Sequence, residues 1–283
     1  MRARCPASSA NLGPGFDALA VALALYVDVT VEPADGLSID ATGEGADLPR
    51  DATHLAARVV RDVLGHDNVR ITVHSEIPVG RGLGSSAALA VAAAAAAGAD
   101  APLEIGTLVD GHPENAAASV LGGLVAASMV DGHGVAYPLA LDEALCFVVV
   151  VPDRELKTAE ARTALPAMVP HADAAANLSR MGLLVAGLAD AEMLRPAATD
   201  DRLHQLYRAA LFPEANDLML GLVRAGALAS CWSGAGPSVL GICTDESAPA
   251  VRDAGEQLLA DLAVPGRVLD LDADRVGLLV SDA

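Results

Sequence analysis

The residues best suited to chemistry lie in one short glycine-rich stretch, Pro78–Ala87, which reads PVGRGLGSSA and runs directly into an alanine-rich segment. Glycine has no Cβ atom, so an anion can closely approach the main-chain N–H groups of such a turn. A helix that starts there adds unpaired N–H groups and the positive end of its dipole. Arg81 contributes positive charge, and Ser85 and Ser86 contribute hydroxyls. The stretch is therefore predicted to bind a phosphate-like anion; the alternative is a plain strand-to-helix turn.

The flanking patterns predict that this turn joins a strand to a helix. Apolar and polar residues alternate in 68–77, as in a half-buried strand, and the alanine run after the turn is typical of a helix. Residues 26–32 alternate in the same way, whereas 51–64 has helical spacing and is followed by a glycine. The turn is thus predicted to have a regular element on each side.

The rest of the chain mixes helical and strand-like segments. Small apolar residues in 115–130 predict a helix, a Gly-Gly break and a strand, and 145–151 is typical of a strand buried on both faces. Further elements are predicted as helices in 174–188, 216–225 and 248–262, and as strands in 238–243 and near 268 and 278. We therefore predict an α+β protein with two domains, 1–142 and 143–283.

Composition and charge exclude several classes of protein. The 283 residues carry a formal net charge of −19, and Lys157 is the only lysine, so the basic face that nucleic-acid binding needs is lacking. The apolar segments are too short, or too interrupted by turn residues and charge, for a membrane span or a signal peptide. The cysteines form no CxxC pair and are predicted to be buried, reduced thiols of a cytoplasmic protein: Cys5, Cys146, Cys231 and Cys243.

Three stretches resemble the motifs of a known family. Pro78–Ala87 resembles the ATP-binding signature P-x-x-x-G-L-G-S-S-A of the GHMP kinases. Ala7–Asp17, ASSANLGPGFD, resembles their first motif in its homoserine kinase form, and Ser233–Ser238, SGAGPS, resembles their third motif. Shorter stretches that resemble homoserine kinases are HPEN at 112–115, LGGL at 121–124, TAEAR at 158–162 and YRAAL at 207–211. The chain is thus similar to GHMP kinases, and most similar to homoserine kinases.

The resemblance implies a fold, two substrates and a metal ion. The fold is the two-domain GHMP kinase fold, with an N-terminal ATP-binding domain like domain 2 of ribosomal protein S5 and a C-terminal ferredoxin-like domain. The implied ligands are ATP, Mg²⁺ and L-homoserine, and the implied assembly is a homodimer. The implied ATP-binding residues are Pro78, Val79, Gly80, Arg81, Gly82, Leu83, Gly84, Ser85 and Ser86, with His54 near the adenine.

The resemblance also implies an acceptor site for an amino-acid alcohol. Arg162 and Arg208 would clamp its carboxylate, a task that suits planar guanidinium groups, and Asp17 would pair with its ammonium. Without the motifs, Asn11 would be interpreted as a turn residue and Asp17 as a helix cap. His112 is either a general base or a structural residue beside a proline. The implied acceptor-binding residues are Asn11, Asp17, His112, Asn115, Thr158, Arg162, Arg208 and Gly234.

For catalysis, the resemblance implies that Asn115 orients the acceptor hydroxyl while Ser86 and Arg81 hold the γ-phosphate. Phosphoryl transfer has a loose transition state, so positioning and charge neutralisation matter more than a strong base. The implied Mg²⁺ ligands are Ser86 and Glu104. Because the segment before residue 112 is shorter than in typical homoserine kinases, Asp110 is a rival to Glu104.

Two other functions stay open on the sequence alone. Another GHMP kinase, acting on threonine, pantoate, a sugar or a mevalonate derivative, would keep the phosphate turn and differ in its acceptor residues. A sensor of the same fold would bind ATP or an amino acid without catalysis, and the shortened segment around Glu104 favours it. Phosphoryl transfer to a defined acceptor separates the three functions.

Overall fold

The computed structural model describes residues 1–282, which form two β-sheets with helices packed against them. The strands are β1 (Arg2–Asn11), β2 (Gly15–Pro33), β3 (Ser38–Gly43), β4 (Val69–Ser75), β5 (Leu124–Val130), β6 (His133–Leu139), β7 (Leu145–Pro152), β8 (Ala229–Trp232), β9 (Val239–Thr244), β10 (Gly266–Asp272) and β11 (Leu279–Ser281). The α-helices are α1 (Leu55–Leu64), α2 (Ser85–Ala96), α3 (Pro102–Asp110), α4 (Glu114–Leu121), α5 (Thr158–Thr163), α6 (His171–Ala189), α7 (Gln205–Arg208), α8 (Ala215–Arg224) and α9 (Ala248–Asp261). Two short 3-10 helices span Ala191–Met193 and Pro196–Thr199.

The first sheet is organised around β2, which is 19 residues long. It pairs with β1 along most of its length, with β5 through its first part and with β4 through its last part. Only the alternating part from residue 26 was predicted. The earlier part lacks alternation because consecutive residues such as Leu19, Ala20 and Val21 are all buried, as in strands that are covered on both faces.

Helix α2 is the central helix of this half of the molecule. It packs against β1, β2, α1, α3 and α4, and nine of its twelve residues are buried. An alanine helix suits this position because small side chains allow neighbours to approach on every side, and alanine has the highest helix propensity. The alanine run that follows the glycine turn therefore forms a helix that is held rigidly behind the turn.

The second sheet is antiparallel, in the order β10-β7-β9-β8, and α8 and α9 pack against it. Alternate residues of β7 belong to two different hydrophobic clusters. Cys146, Val148 and Val150 lie in the cluster that includes α8 and α9, whereas Phe147 and Val149 belong to the main core that the first sheet also lines. The predicted strand buried on both faces is therefore confirmed, and one hydrophobic core is shared by both halves of the chain.

The last strand, β11, belongs to the first sheet and not to the second. β11 pairs with β1 of the first sheet, with Arg2 opposite Ser281. After residue 272 the chain therefore returns to the first sheet, so strands from both predicted domains, 1–142 and 143–283, pair in one sheet.

The four cysteines are buried as predicted and carry free thiols, and burial raises the pKa of Cys146 to about 12. Among residues 1–282, no helix has the length and apolar character needed to cross a bilayer.

Candidate active site

The predicted motifs meet at one cavity of about 320 Å³. It is lined by the turn before α2, the β1–β2 connection, the segment between α3 and α4, α5 and its preceding loop, and parts of α7 and the β8–β9 turn. Every residue predicted to bind ATP or the acceptor lines this cavity, with the exception of His54. Of the two predicted metal ligands, Ser86 lines the cavity and Glu104 does not.

The glycine turn adopts a conformation that excludes larger residues. Gly82 and Gly84 have φ angles of +75° and +67°. A Cβ atom on Gly82 would overlap the carbonyl oxygen of Ser233, and one on Gly84 would overlap Oγ of Ser8. Helix α2 begins at Ser85, and no side chain caps its first N–H groups. The turn and the helix terminus therefore present main-chain N–H groups to the cavity, as an anion site requires.

Arg81 joins this turn to the chain that follows β7. Its guanidinium donates to the carbonyl oxygen of Val79 at 2.9 Å and to that of Asp153. Glu155 lies 3.6 Å from the same group. The side chain is 16% exposed, so its positive charge lies near the rim of the cavity.

The third motif connects the glycine turn to the end of the cavity where the acceptor is predicted to bind, which is called the acceptor end below. Ser233 Oγ donates to the carbonyl oxygen of Gly82 at 2.7 Å, and it lies 2.9 Å from the hydroxyl of Ser9. The carbonyl oxygen of Gly234 accepts from Asn11 Nδ2 at 2.7 Å and from Arg208 Nη1 at 3.1 Å. Two residues predicted to bind the acceptor, one from each half of the chain, are thus held by one turn.

At the acceptor end, Asp17 and Arg162 form a bidentate ion pair with distances of 2.7 and 3.1 Å. Asp17 lies in β2 with a φ angle of +52°, so it is not the helix cap that its sequence context alone suggested. Its backbone N–H donates to Asn11 Oδ1 at 3.0 Å, which stabilises this unusual conformation. Both side chains are about one-third exposed and line the cavity.

Arg208 is 1% exposed and forms the floor of the acceptor end. Besides Gly234, its Nη1 atom contacts Nδ1 of His204 at 3.0 Å. The ring of Phe16 lies beneath both arginines, with its centroid 5.6 Å from the guanidinium carbon of Arg162 and 5.4 Å from that of Arg208. Burial and the nearby charge of Arg162 lower the pKa of Arg208 to about 10, so it stays charged at neutral pH.

Asn115 lies at the start of α4, and its Oδ1 atom accepts from Ser8 Oγ at 2.9 Å. The preceding Glu114 is fully buried, with Oε1 2.6 Å from Nδ1 of His112. Burial by itself lowers the pKa of His112, but the carboxylates of Glu114 and Asp110 raise it above the ordinary value. Ligand-type atoms of Asp17, His112 and Glu114 lie within 4.8 Å of one another.

Comparisons with known proteins agree with the motifs. The chain matches the GHMP kinases N terminal domain over residues 51–123 and the GHMP kinases C terminal domain over residues 183–261. The homoserine kinase of Streptomyces avermitilis is 46% identical over 275 residues, which cover 90% of each chain. This chain belongs to the homoserine kinase family of the GHMP kinases. The homoserine kinase of Streptomyces coelicolor is 44% identical over 270 residues, covering 89% of this chain and 87% of that one.

The fold agrees with this family as well. The crystal structure of homoserine kinase from Cytophaga hutchinsonii superposes on this chain with a TM-score of 0.86 at 26% sequence identity. The superposition covers 99% of this chain and 97% of that chain. The predicted two-domain GHMP kinase fold of α+β class is therefore confirmed.

In this GHMP kinase, the structure favours Asp110 over Glu104 as the acidic partner of Ser86. Asp110 lines the cavity together with Ser86, and the Ser86 hydroxyl acts to lower the pKa of Asp110. Glu104 lies on a neighbouring groove that Ser86 also borders, where its carboxylate is half-exposed and 3.4 Å from His133. The predicted metal ligand Glu104 thus lies outside the cavity, because residue 104 lies in the first turn of α3, whereas residue 110 ends that helix at the cavity.

The Ser86 and Asp110 pair fits a magnesium ion. Both groups offer oxygen ligands, which Mg²⁺ prefers, and Mg²⁺ usually takes only one or two ligands from the protein beside nucleotide phosphates. Burial raises the pKa of Asp110 to about 6, with His112 and Ser86 acting in the opposite direction. A cation placed at this carboxylate would favour its charged form.

His54 occupies the N-cap of α1, where Nδ1 accepts from the backbone N–H of Ala56 at 3.2 Å. It borders a small separate cavity together with Val79 and Ser85, directly behind the glycine turn. Its ring therefore serves as a helix cap behind the glycine turn. Contact with the adenine stays a prediction.

Sequence reasoning missed His204, which is completely buried between the first motif and Arg208. Its ring stacks on that of Phe16, with centroids 5.1 Å apart and an angle of 26° between the planes. The sequence signal that could have identified His204 is its spacing from Arg208, because residues four positions apart share one face of a helix. In the sequence, Glu114 was identified only as part of the HPEN stretch, whereas the structure pairs it with His112.

The burial of His204 predicts a specific acid sensitivity of the fold. Burial lowers the pKa of His204 to about 4 from an ordinary value of 6.5, and the charge of Arg208 acts in the same direction. Between these two pKa values the unfolded chain binds a proton on His204 that the folded chain does not bind. The contribution of His204 to the free energy of unfolding is therefore fully retained above pH 6.5 and is lost as the pH drops towards 4. Between pH 6.5 and pH 4, we expect the free energy of unfolding of the wild type to fall by roughly 3 kcal/mol more than that of His204→Gln. Urea denaturation across this pH range measures it, and parallel pH profiles of the two proteins would contradict it.

Proposed function

We propose that this protein transfers the γ-phosphoryl group of ATP to the side-chain hydroxyl of L-homoserine, which produces O-phospho-L-homoserine for threonine biosynthesis. The observation that carries the proposal is the meeting, in one cavity, of a glycine turn suited to phosphate with two arginines and an aspartate suited to a zwitterionic amino acid. Relatives of 46% and 44% identity that bear the name homoserine kinase support this acceptor.

The nucleotide phosphates bind at the glycine turn. Main-chain N–H groups of 80–86, the N-terminus of α2 and the Arg81 guanidinium supply positive potential in a protein whose formal charge is −19. Ser86 and Asp110 would hold Mg²⁺ beside these phosphates. When bound, the ion neutralises negative charge that develops on the phosphate oxygens.

The acceptor binds at the opposite end of the cavity. Its carboxylate faces Arg162 and Arg208, and its ammonium faces Asp17, with Asn11, Thr158 and Gly234 completing the wall. The Asp17–Arg162 pair already places a negative and a positive group side by side at 2.7 Å. This spacing complements the adjacent ammonium and carboxylate of an α-amino acid.

Asn115, whose Oδ1 accepts from Ser8 Oγ, lies between these two ends and orients the acceptor hydroxyl. The hydroxyl oxygen forms a bond to the γ-phosphorus as the bond to the β–γ bridging oxygen breaks, and ADP leaves. Nδ1 of His112 is held by Glu114 Oε1 at 2.6 Å, so we assign His112 a structural role and no proton transfer. The proton of the hydroxyl passes to the transferred phosphoryl group or to water, in keeping with a loose transition state.

The assay that tests this proposal compares acceptors at fixed ATP and Mg²⁺. ADP release is measured with L-homoserine, L-threonine, pantoate and mevalonate, and we expect the highest kcat/KM with L-homoserine. A higher kcat/KM for another acceptor would overturn the choice of acceptor. Transfer to none of them, with ATP still bound, would support the sensor instead. The sequence favoured a sensor only through the shortened segment around Glu104, and Asp110 of that segment supplies an acidic group in the cavity lining.

The choice between the two acidic residues makes a separate prediction. We expect Asp110→Asn to lower kcat about 100-fold or more, because loss of a metal ligand removes several kcal/mol of transition-state stabilisation. Glu104→Gln is the matched control and should leave kcat within about twofold, since its side chain lies outside the cavity. Steady-state kinetics with varied Mg²⁺ measure both. The reverse ranking of the two variants would restore Glu104 as the ligand.

A cytoplasmic homodimer is also part of the proposal. It is supported by the free, buried thiols and by the family to which the chain belongs. Light scattering of the purified protein measures the assembly, and a monomer at micromolar concentration would contradict it.

A further inference from the structure

The guanidinium of Arg208 is held by neutral acceptors. Nη1 donates to Nδ1 of His204 at 3.0 Å and to the carbonyl oxygen of Gly234 at 3.1 Å, and Nε points to the carbonyl oxygen of Ala161 at 3.4 Å. Within residues 1–282, Nη2 has no acceptor, and no carboxylate lies within ion-pair distance of the group. The unused N–H groups of Nη2 are therefore the ones available to an acceptor carboxylate.

The contact with Arg208 determines the tautomer of His204. A guanidinium can only donate, so Nδ1 of His204 carries the lone pair. The proton of the neutral ring is then on Nε2, which lies 2.9 Å from the carbonyl oxygen of Gly13 and donates to it. The ring thus links the first motif to Arg208 by two directional hydrogen bonds.

Other groups around His204 support this arrangement. Asp201 lies 3.7 Å from Nε2, but its carboxylate already accepts from the backbone N–H groups of residues 203, 204 and 205. The Phe16 ring stacks on His204 and lies under both Arg162 and Arg208. The position of the imidazole therefore influences both arginines of the acceptor end.

We infer that His204 is a positioning residue for acceptor selection: as the neutral Nε2–H tautomer, it aims Arg208 so that Nη2 faces the cavity, and it thereby favours acceptors that carry a carboxylate. This inference rests on the proposed function, because the preference is measured with L-homoserine. His204 itself does not contact the reacting atoms; it acts through Arg208.

Two substitutions separate the two hydrogen bonds of the ring. In His204→Asn the side-chain oxygen can replace Nδ1 as the acceptor for Arg208, whereas in His204→Gln the terminal amide can replace only the Nε2–H donor. The acceptors compared are L-homoserine and 3-amino-1-propanol, which lacks the carboxylate. His66→Gln, at an exposed histidine of the α1–β4 connection, is the matched control.

We expect His204→Gln to lower the preference for L-homoserine over 3-amino-1-propanol, measured as the ratio of kcat/KM values, about tenfold, which corresponds to about 1.4 kcal/mol. His204→Asn should lower it by less than about threefold, and His66→Gln should not change it. The KM for ATP should stay constant in all three. An equal fall in kcat/KM for both acceptors, or an unchanged ratio in His204→Gln, would overturn the inference, because a general packing defect has no reason to depend on a carboxylate.

A second measurement does not depend on activity. Long-range ¹⁵N–¹H spectra of the wild type should show His204 protonated on Nε2 and bare on Nδ1 at neutral pH. The opposite tautomer, or a doubly protonated ring, would overturn the inference even if both variants fail to fold. Wild type that shows the expected tautomer but phosphorylates no acceptor would contradict the proposed function and leave the Arg208 contact intact.

Discussion

Replacing Arg208 by alanine is expected to raise the KM for L-homoserine roughly 30-fold or more while the KM for ATP stays nearly constant. The guanidinium is buried and lacks a carboxylate partner within residues 1–282, and in the proposed function the acceptor carboxylate supplies its counter-ion. Removing one member of a buried charge pair costs about 2–5 kcal/mol, and about 1.4 kcal/mol corresponds to a tenfold change in binding.

The matched control for this variant is Arg202→Ala. Arg202 lies on the surface, where it pairs with Asp173 at 2.7 Å and is 60% exposed. Exposed pairs contribute about 1 kcal/mol or less, so both KM values should stay within about twofold of the wild type. Initial-rate kinetics with each substrate varied in turn measure the effect. If Arg208→Ala raised both KM values by the same factor, the carboxylate assignment would be wrong.

The second large effect is expected at Gly82. A Cβ atom there would overlap the carbonyl oxygen of Ser233, and the φ angle of +75° is itself unfavourable for alanine. Gly82→Ala must therefore displace either the turn or the third motif, which also holds Arg208 through Gly234. Because a displacement near 1 Å can cost about 100-fold in rate, we expect kcat/KM for ATP to fall by about that factor.

The control variant Gly65→Ala separates the effect of a positive φ angle from the effect of the steric overlap with Ser233. Gly65 ends α1 with the same φ angle of +75°, and a Cβ atom there meets nothing within 4 Å. We expect this control to lose about 1 kcal/mol of unfolding free energy, the cost of a left-handed alanine, with normal kinetics. Urea denaturation and initial rates measure both variants. If the two variants had the same kinetics, close contact between the turn and Ser233 would be irrelevant to catalysis.

Several parts of the site could be predicted because they depend on local sequence. The turn at 78–87 combines three glycines with a helix start, and those properties require no knowledge of the rest of the chain. Short motifs placed the segments 112–115, 158–162 and 207–211, and the structure brings residues of all three segments to one cavity: His112, Glu114, Asn115, Thr158, Arg162 and Arg208. The position of Glu104 outside this cavity was not predicted, because helix length cannot be read accurately from an interval that is shorter than usual.

Other features depend on contacts between distant segments. Tyr26 and the residues after it alternate and were predicted as a strand, but the first half of β2 has no alternation because both of its faces are covered. The pairing of β11 with β1 joins residues about 280 positions apart. Nothing in the local sequence near Leu279 indicates which strand edge it will meet.

The sequence by itself determined the phosphate turn, the family and the identity of the charged groups at the acceptor end, because glycine conformation, helix propensity and side-chain charge are local properties. Only the tertiary structure decided which acidic residue lies beside Ser86 and that His204 holds Arg208. The physical reason is that hydrogen-bond partners in a buried site come from segments far apart in the chain. Their distances are set by packing of the whole core.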